Sequence, residues 1–134
     1  MNRDLHEKIG SVSVENLFAG LEPHALKKAA TIRKLGTAGT LKRGTILAKS
    51  SGSAGDGKLV ILGTTAATNE TLTADCILVN DTDVGTAADE NVLVWVTGNF
   101  NEDALIVNSG YTLTEADRDA LRVRGVLLGA SQEL

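Results

Sequence analysis

From Ala74 to Leu128 short apolar segments alternate with acidic or glycine-bearing breaks, and this constrains the chain more than any other feature. Asp75-Cys76-Ile77-Leu78-Val79-Asn80 leads into an acidic loop opening at Asp81. Asn91 to Thr97 follows, then Gly98-Asn99-Phe100-Asn101, then Ala104 to Val107. Short runs rich in β-branched residues and bounded by Gly, Asn and Asp predict strands, here with a hairpin turn at Thr97 to Asn101. One helix interrupts them, over about Glu115 to Arg124. Thr114 is placed to cap it, with Asp117 at the third position reaching back. Acidic residues gather at its positive end and Arg122 and Arg124 at its negative end. Gly125 supplies the left-handed residue beyond it. Ala116, Ala120 and Val123 are expected to form its buried stripe, with Leu121 beside them. Val126-Leu127-Leu128 reads as a closing strand.

Upstream, Ala25 to Leu35 and Thr40 to Lys49 read as strands, the second bending at Gly44. Ser50 to Gly57 is a turn-rich loop, Lys58 to Leu62 a strand, and the Thr-rich stretch from Thr64 to Thr73 another loop. Val92-Leu93-Val94-Trp95-Val96 is apolar at every position, which predicts burial on both faces. One face would meet the core and the other a neighbouring subunit or loop. Residues 1–24 show no sustained period, yet carry Val12, Val14, Leu17 and Phe18. They read as a flexible N-terminal arm able to become extended against a partner, leaving 25–134 as a single β-rich domain.

At 134 residues the chain suits one domain. Phe18, Trp95, Phe100 and Tyr111 are its only aromatic residues, so the core is aliphatic, and no platform for stacking bases is evident. Residues 1–43 hold eight Lys/Arg against four Asp/Glu, and residues 44–134 hold five against thirteen. An acidic body argues against nucleic acid as a direct partner. No apolar run approaches the ~20 residues of a bilayer span, so no membrane association is expected. The lone Cys76 cannot form an intrachain disulfide.

Gly52 to Lys58 has the spacing of a phosphate-binding loop, but Leu59 stands where a Ser or Thr hydroxyl is needed, and a strand follows instead of a helix. Asp81-Thr82-Asp83 resembles the start of a calcium loop, but Thr86 and Val92 occupy the places of its Gly and Glu. An Asp-rich turn bonded to the backbone is preferred there. The only histidines, His6 and His24, lie in or beside the arm. No catalytic constellation, metal site or cofactor is expected, and the chain reads as a protein without enzymatic activity.

Four stretches occur in the order seen in the lambda-type bacteriophage head decoration proteins. They are Leu41 to Leu47 (Leu-Lys-Arg-Gly-Thr-Ile-Leu), Ile77 to Asp83, Trp95 to Leu105 with its Gly98-Asn99-Phe100-Asn101, and Ala120 to Gly125. With the elements between them, they make the chain resemble that family over roughly two-thirds of its length. The resemblance implies a compact β-clip-like domain with one short helix and an extended N-terminal arm. It implies a homotrimer that binds the major capsid protein on the outer surface of the mature head, at three-fold and quasi-three-fold sites, and stabilises it against DNA pressure. The protein would be made in the host cytoplasm and reside in the virion. Val12, Val14, Leu17 and Phe18 are the candidate capsid contacts, and Trp95, Asn99, Phe100 and Asn101 the candidate trimer contacts. The alternative is a non-catalytic virion-surface or cell-surface binding module, for example one for carbohydrate.

Overall fold

The computed structural model describes residues 17–20 and 23–129. Five strands close into a barrel in the order β2 (Lys27–Ile32), β5 (Leu59–Ile61), β4 (Ile46–Ser51), β6 (Thr71–Leu78), β8 (Glu90–Trp95). Outside it lies a three-stranded sheet in the order β1 (Phe18–Gly20), β9 (Gly98–Asn101), β10 (Val126–Gly129). A third, two-stranded sheet pairs β3 (Gly39–Leu41) with β7 (Thr82–Val84). The helix α1 spans Glu115–Arg124, as its end signals predict. Thr114 and Asp117 form the reciprocal capping box, and Gly125 ends the helix at φ 103°.

Strands β4, β5, β6 and the end of β8 each serve two cores, so the apolar run from Val92 to Val96 is buried on both faces only at Val94 and Trp95. Ile32, Leu47, Leu59, Cys76, Leu78 and Val94 form one cluster, to which all five barrel strands contribute, so it fills the barrel interior. Their neighbours Ile46, Ala48, Val60, Ile77 and Trp95 belong to a second cluster with Phe100, Leu121 and Val126. Successive side chains on a strand face opposite ways, so one row fills the barrel while the other carries the outer sheet and α1. For Trp95 the second face is therefore covered by the same chain. Leu93, on the same side of β8, stays 45% exposed.

Several expectations about local structure change. Gly98–Asn101 is a strand and not a hairpin turn. Gly98 adopts φ 148°, and a Cβ there would lie 2.7 Å from the Phe100 ring. The chain thus turns off the barrel at Val96 and Thr97 and pairs with β1 and β10 instead of returning along β8. Ala104 to Val107 is not a strand: a 3-10 turn occupies Glu102–Ala104, and beyond it only an isolated bridge joins Ile106 to Thr45. The loop expected up to Thr73 ends earlier, because β6 begins at Thr71. The buried face of α1 centres on Leu121, fully buried, while Val123 is 86% exposed. Two polar anchors on that side set the rotation. Arg118 forms a two-point ion pair with Glu102 (3.0 and 2.7 Å), and the Tyr111 hydroxyl donates to Asp117.

Candidate functional site

Of the residues assigned from the sequence to two separate surfaces, Leu17 and Phe18 of the first meet Trp95, Asn99, Phe100 and Asn101 of the second at one place. In β1, Phe18 lies opposite Phe100 of β9, and the Asn101 amide donates to the Leu17 carbonyl at 2.6 Å. The ring of Phe18 stacks on Phe100 at 4.9 Å and meets Trp95 edge-on at 5.1 Å. Trp95 and Phe100 complete the triangle at 5.5 Å. Pairs of this kind contribute about 0.5–1.5 kcal/mol each beyond the area they bury. The Arg43 guanidinium lies 4.8 Å from the centre of the Trp95 ring and donates to the Val79 carbonyl at 3.0 Å, which holds the cation over the ring face.

Leu17, Trp95, Phe100 and Asn101 are buried in the protomer, the most exposed of them at 4%. Asn101 also caps the following 3-10 turn, its side chain accepting from the Asp103 amide at 3.2 Å. Phe18 and Asn99 are half-buried, so they are the members of the cluster that keep accessible surface. Gly20 packs against Asn99, whose amide nitrogen would lie 3.0 Å from a Cβ at that glycine. The assembly can grip an incoming chain segment by strand pairing and aromatic packing. Val12 and Val14 lie outside the described residues. The segment expected as a free arm to residue 24 therefore contains a paired strand and a core leucine from Leu17 onward.

The loops hold electrostatic features that the sequence did not reveal. Arg33 pairs with Asp56 at 3.0 Å and also with Glu70, whose carboxylate accepts from the Ser50 hydroxyl and from the Ala67 amide. These bonds hold the Asp56 and Glu70 carboxyls down to about 2. The partners are 23 and 37 positions apart, so no local pattern signals the network. Arg118 likewise lowers the Glu102 carboxyl. Burial, reinforced by Asp75, pushes the Cys76 thiol up, which leaves it a packing residue.

The rejected motifs have structural partners of their own. The Gly52 to Lys58 loop runs into strand β5, and Lys58 pairs with Asp89 at 2.6 Å. Asp81 accepts from the Arg43 amide at 2.7 Å, but Asp83 lies in strand β7 and accepts from the Thr40 hydroxyl of β3 at 2.6 Å, so the expected acidic turn is in part a strand pair. Among the described residues, no three His, Cys, Asp or Glu side chains form a group able to hold a metal ion, and no helix is long and apolar enough to cross a membrane.

The architecture is a small closed β-barrel whose outer sheet is completed by the N-terminal strand β1. The family model of the bacteriophage lambda head decoration protein D matches residues 8–127, and the chain belongs to that family. No curated protein matches it. Family membership and a mostly β domain with one short helix are together consistent with a non-catalytic protein associated with the phage head.

Proposed function

We propose that this protein is a capsid cement. In this reading it docks as a homotrimer on the outside of the mature head, at three-fold and quasi-three-fold positions, and braces the major capsid protein against the pressure of packaged DNA. The observation that carries the reading is the family match over residues 8–127, which spans the N-terminal segment as well as the barrel. In the reading, residues 1–16 form the arm, and Val12 and Val14 contact capsid protein by strand addition, where main-chain hydrogen bonds supply affinity without a deep pocket. Three arms around one axis match the symmetry of the site, and their joint engagement makes weak contacts strong. In the reading, Leu17 and Phe18 act as the root of the arm, and the half-buried Phe18 and Asn99 touch a neighbouring copy.

The test is sedimentation of purified protein with mature heads lacking it, alongside native mass by light scattering. Full-length protein is expected to co-sediment and to protect heads against heat or chelator. Deletion of residues 1–16, which keeps the Leu17 and Phe18 anchors, is expected to leave a folded protein that no longer co-sediments. Undiminished binding by that truncation would remove the arm from the mechanism, and a stable dimer in solution would contradict the three-fold assembly.

A further inference from the structure

One end of the barrel opens into a depression of about 970 Å³. Its floor is aliphatic, made by Ala30 of β2, Leu59 of β5, and Val94 and Val96 at the end of β8. Its walls carry the next residues of the same inward rows. Lys28 lies directly opposite Val94, and Lys49 lies opposite both Leu59 and Thr73. Both lysines are exposed at the mouth, where their charges stay hydrated and open to a partner. Neither Lys28 nor Lys49 forms an ion pair with any described residue.

The other cations of the rim differ in this respect. Lys58 is matched by Asp89, and Arg124 by Asp75 at 2.8 Å. Asp56, also at the rim, is taken by Arg33. The two lysines are therefore an uncompensated excess of positive charge on a chain whose net charge is −4. Along one edge of the depression α1 raises Val123, the most exposed large aliphatic residue described, at 86%. Leu26, at 57%, continues the row of Lys28 and Ala30 along the ladder, its carbonyl accepting from the Val96 amide at 2.9 Å.

We propose that this barrel mouth is a docking site for an acidic segment of a partner protein, with an aliphatic side chain on the Val94 and Val96 floor and flanking carboxylates on Lys28 and Lys49. Charge complementarity selects the occupant. A nucleic acid has no aliphatic group for the floor and would meet the acidic body around the mouth. Another copy of this chain is a separate outcome, distinguished below. The site shares no residue with the Phe18, Trp95 and Phe100 cluster, so it neither needs nor tests the cementing reading. Its contribution to recognition would be electrostatic steering together with burial of two exposed aliphatic residues.

The experiment is a methyl and amide NMR titration of the full-length protein with a short capped peptide alternating Glu and Leu. A Lys/Leu peptide and a single-stranded oligonucleotide of equal length serve as comparisons. Shifts are expected at Ala30, Val94, Val96 and Val123, with affinity falling as salt is raised. The double variant Lys28→Glu/Lys49→Glu alters two exposed residues, and its own spectrum reports whether it is folded. It is expected to weaken binding by about tenfold or more, as reversal of complementary charge does. Val123→Ser is expected to weaken it less. Absence of shifts at millimolar peptide, shifts away from the mouth, or an equal response to the Lys/Leu peptide or the oligonucleotide would each overturn the proposal. So would concentration-dependent self-association that the double variant abolishes, since the occupant would then be a second copy.

Discussion

The barrel interior and the outer sheet are built from different materials. The interior holds Ile, Leu, Val and one Cys, contributed by strands whose partners are mostly near in sequence, such as β4 with β5 and β4 with β6. The outer layer holds Phe18, Trp95 and Phe100, and Tyr111 packs against it. Its central strand β9 is flanked by strands from opposite ends of the described chain, with Phe18 and Leu128 both opposite Phe100. A closed barrel leaves no free edge and forms a scaffold without help. The outer sheet gains its core only when distant segments arrive. Concentrating the aromatic residues there places the strongest packing where the N-terminal segment must be held.

The largest expected effect comes from removing the centre of that layer. Phe100 is fully buried between Phe18 and Trp95, so Phe100→Ala is expected to cost about 3–5 kcal/mol in urea unfolding. Hydrogen exchange on the variant would show whether the two regions are separable. Amides of Asn101 and Leu128 should lose protection first, while those of Leu47 and Leu78 keep theirs. Equal loss in both regions would make the molecule one cooperative unit and end the distinction.

Next in size is the contrast between two neighbouring residues of α1. Leu121→Ala removes a fully buried side chain from the outer core and is expected to cost about 2–5 kcal/mol. Val123→Ala, two positions on, is expected to stay within about 0.5 kcal/mol of wild type because its side chain is 86% exposed. Comparable losses would mean that Val123 is covered in solution, which would itself point to an occupant of the barrel mouth.

That pair also shows what could be read from the sequence. The limits of α1, its capping box and its glycine stop were legible because each depends on residues within a turn of one another. Its orientation was not. Ala116, Ala120 and Val123 make a plausible apolar stripe, but the face that docks is set by Glu102 on Arg118 and by Tyr111 on Asp117, contacts that an apolar period does not register. The barrel strands were legible from β-branched runs between glycines. Gly98-Asn99-Phe100-Asn101 reads as a turn but forms β9, since it has turn residues and its partners lie 82 positions upstream and 28 downstream, at Phe18↔Phe100 and Leu127↔Asn99. Of the candidate site residues, Trp95, Asn99, Phe100 and Asn101 were found as a group. Their nearness to Leu17 and Phe18 was not, because an irregular N-terminal segment carries no signal of where it returns.

A smaller effect tests whether α1 is held by its own ends or by the outer core. The Thr114 hydroxyl accepts from the Asp117 amide at 3.1 Å, and the Thr114 amide donates to the Asp117 carboxylate at 3.0 Å. Thr114→Ala is expected to cost about 1 kcal/mol in urea unfolding, the usual worth of such a cap. A loss approaching that of Leu121→Ala would show that the helix docks only once capped.

The smallest effect lies at the loops of the barrel and emerges only in acid. The Asp56 carboxyl is held at about 2, chiefly by its hydrogen bond with Arg33, against an ordinary value of 3.8. A carboxyl whose folded pKa lies below its unfolded one contributes stability that is complete above the unfolded value and is lost as pH falls through the folded value. The contribution of Asp56 should therefore persist down to about pH 4 and drain away towards about pH 2. Because its side chain is 36% exposed, solvent screening keeps the gain small. Asp56→Asn should unfold in urea at nearly the wild-type midpoint at neutral pH, and its midpoint should fall less steeply between pH 4 and pH 2. The remaining slope would belong to Glu70, held equally low by the Ala67 amide, Ser50 and Arg33, and to Asp89 and Glu102, lowered by Lys58 and Arg118. Parallel acid limbs for the two proteins would show that the bond between Asp56 and Arg33 leaves barrel stability unchanged.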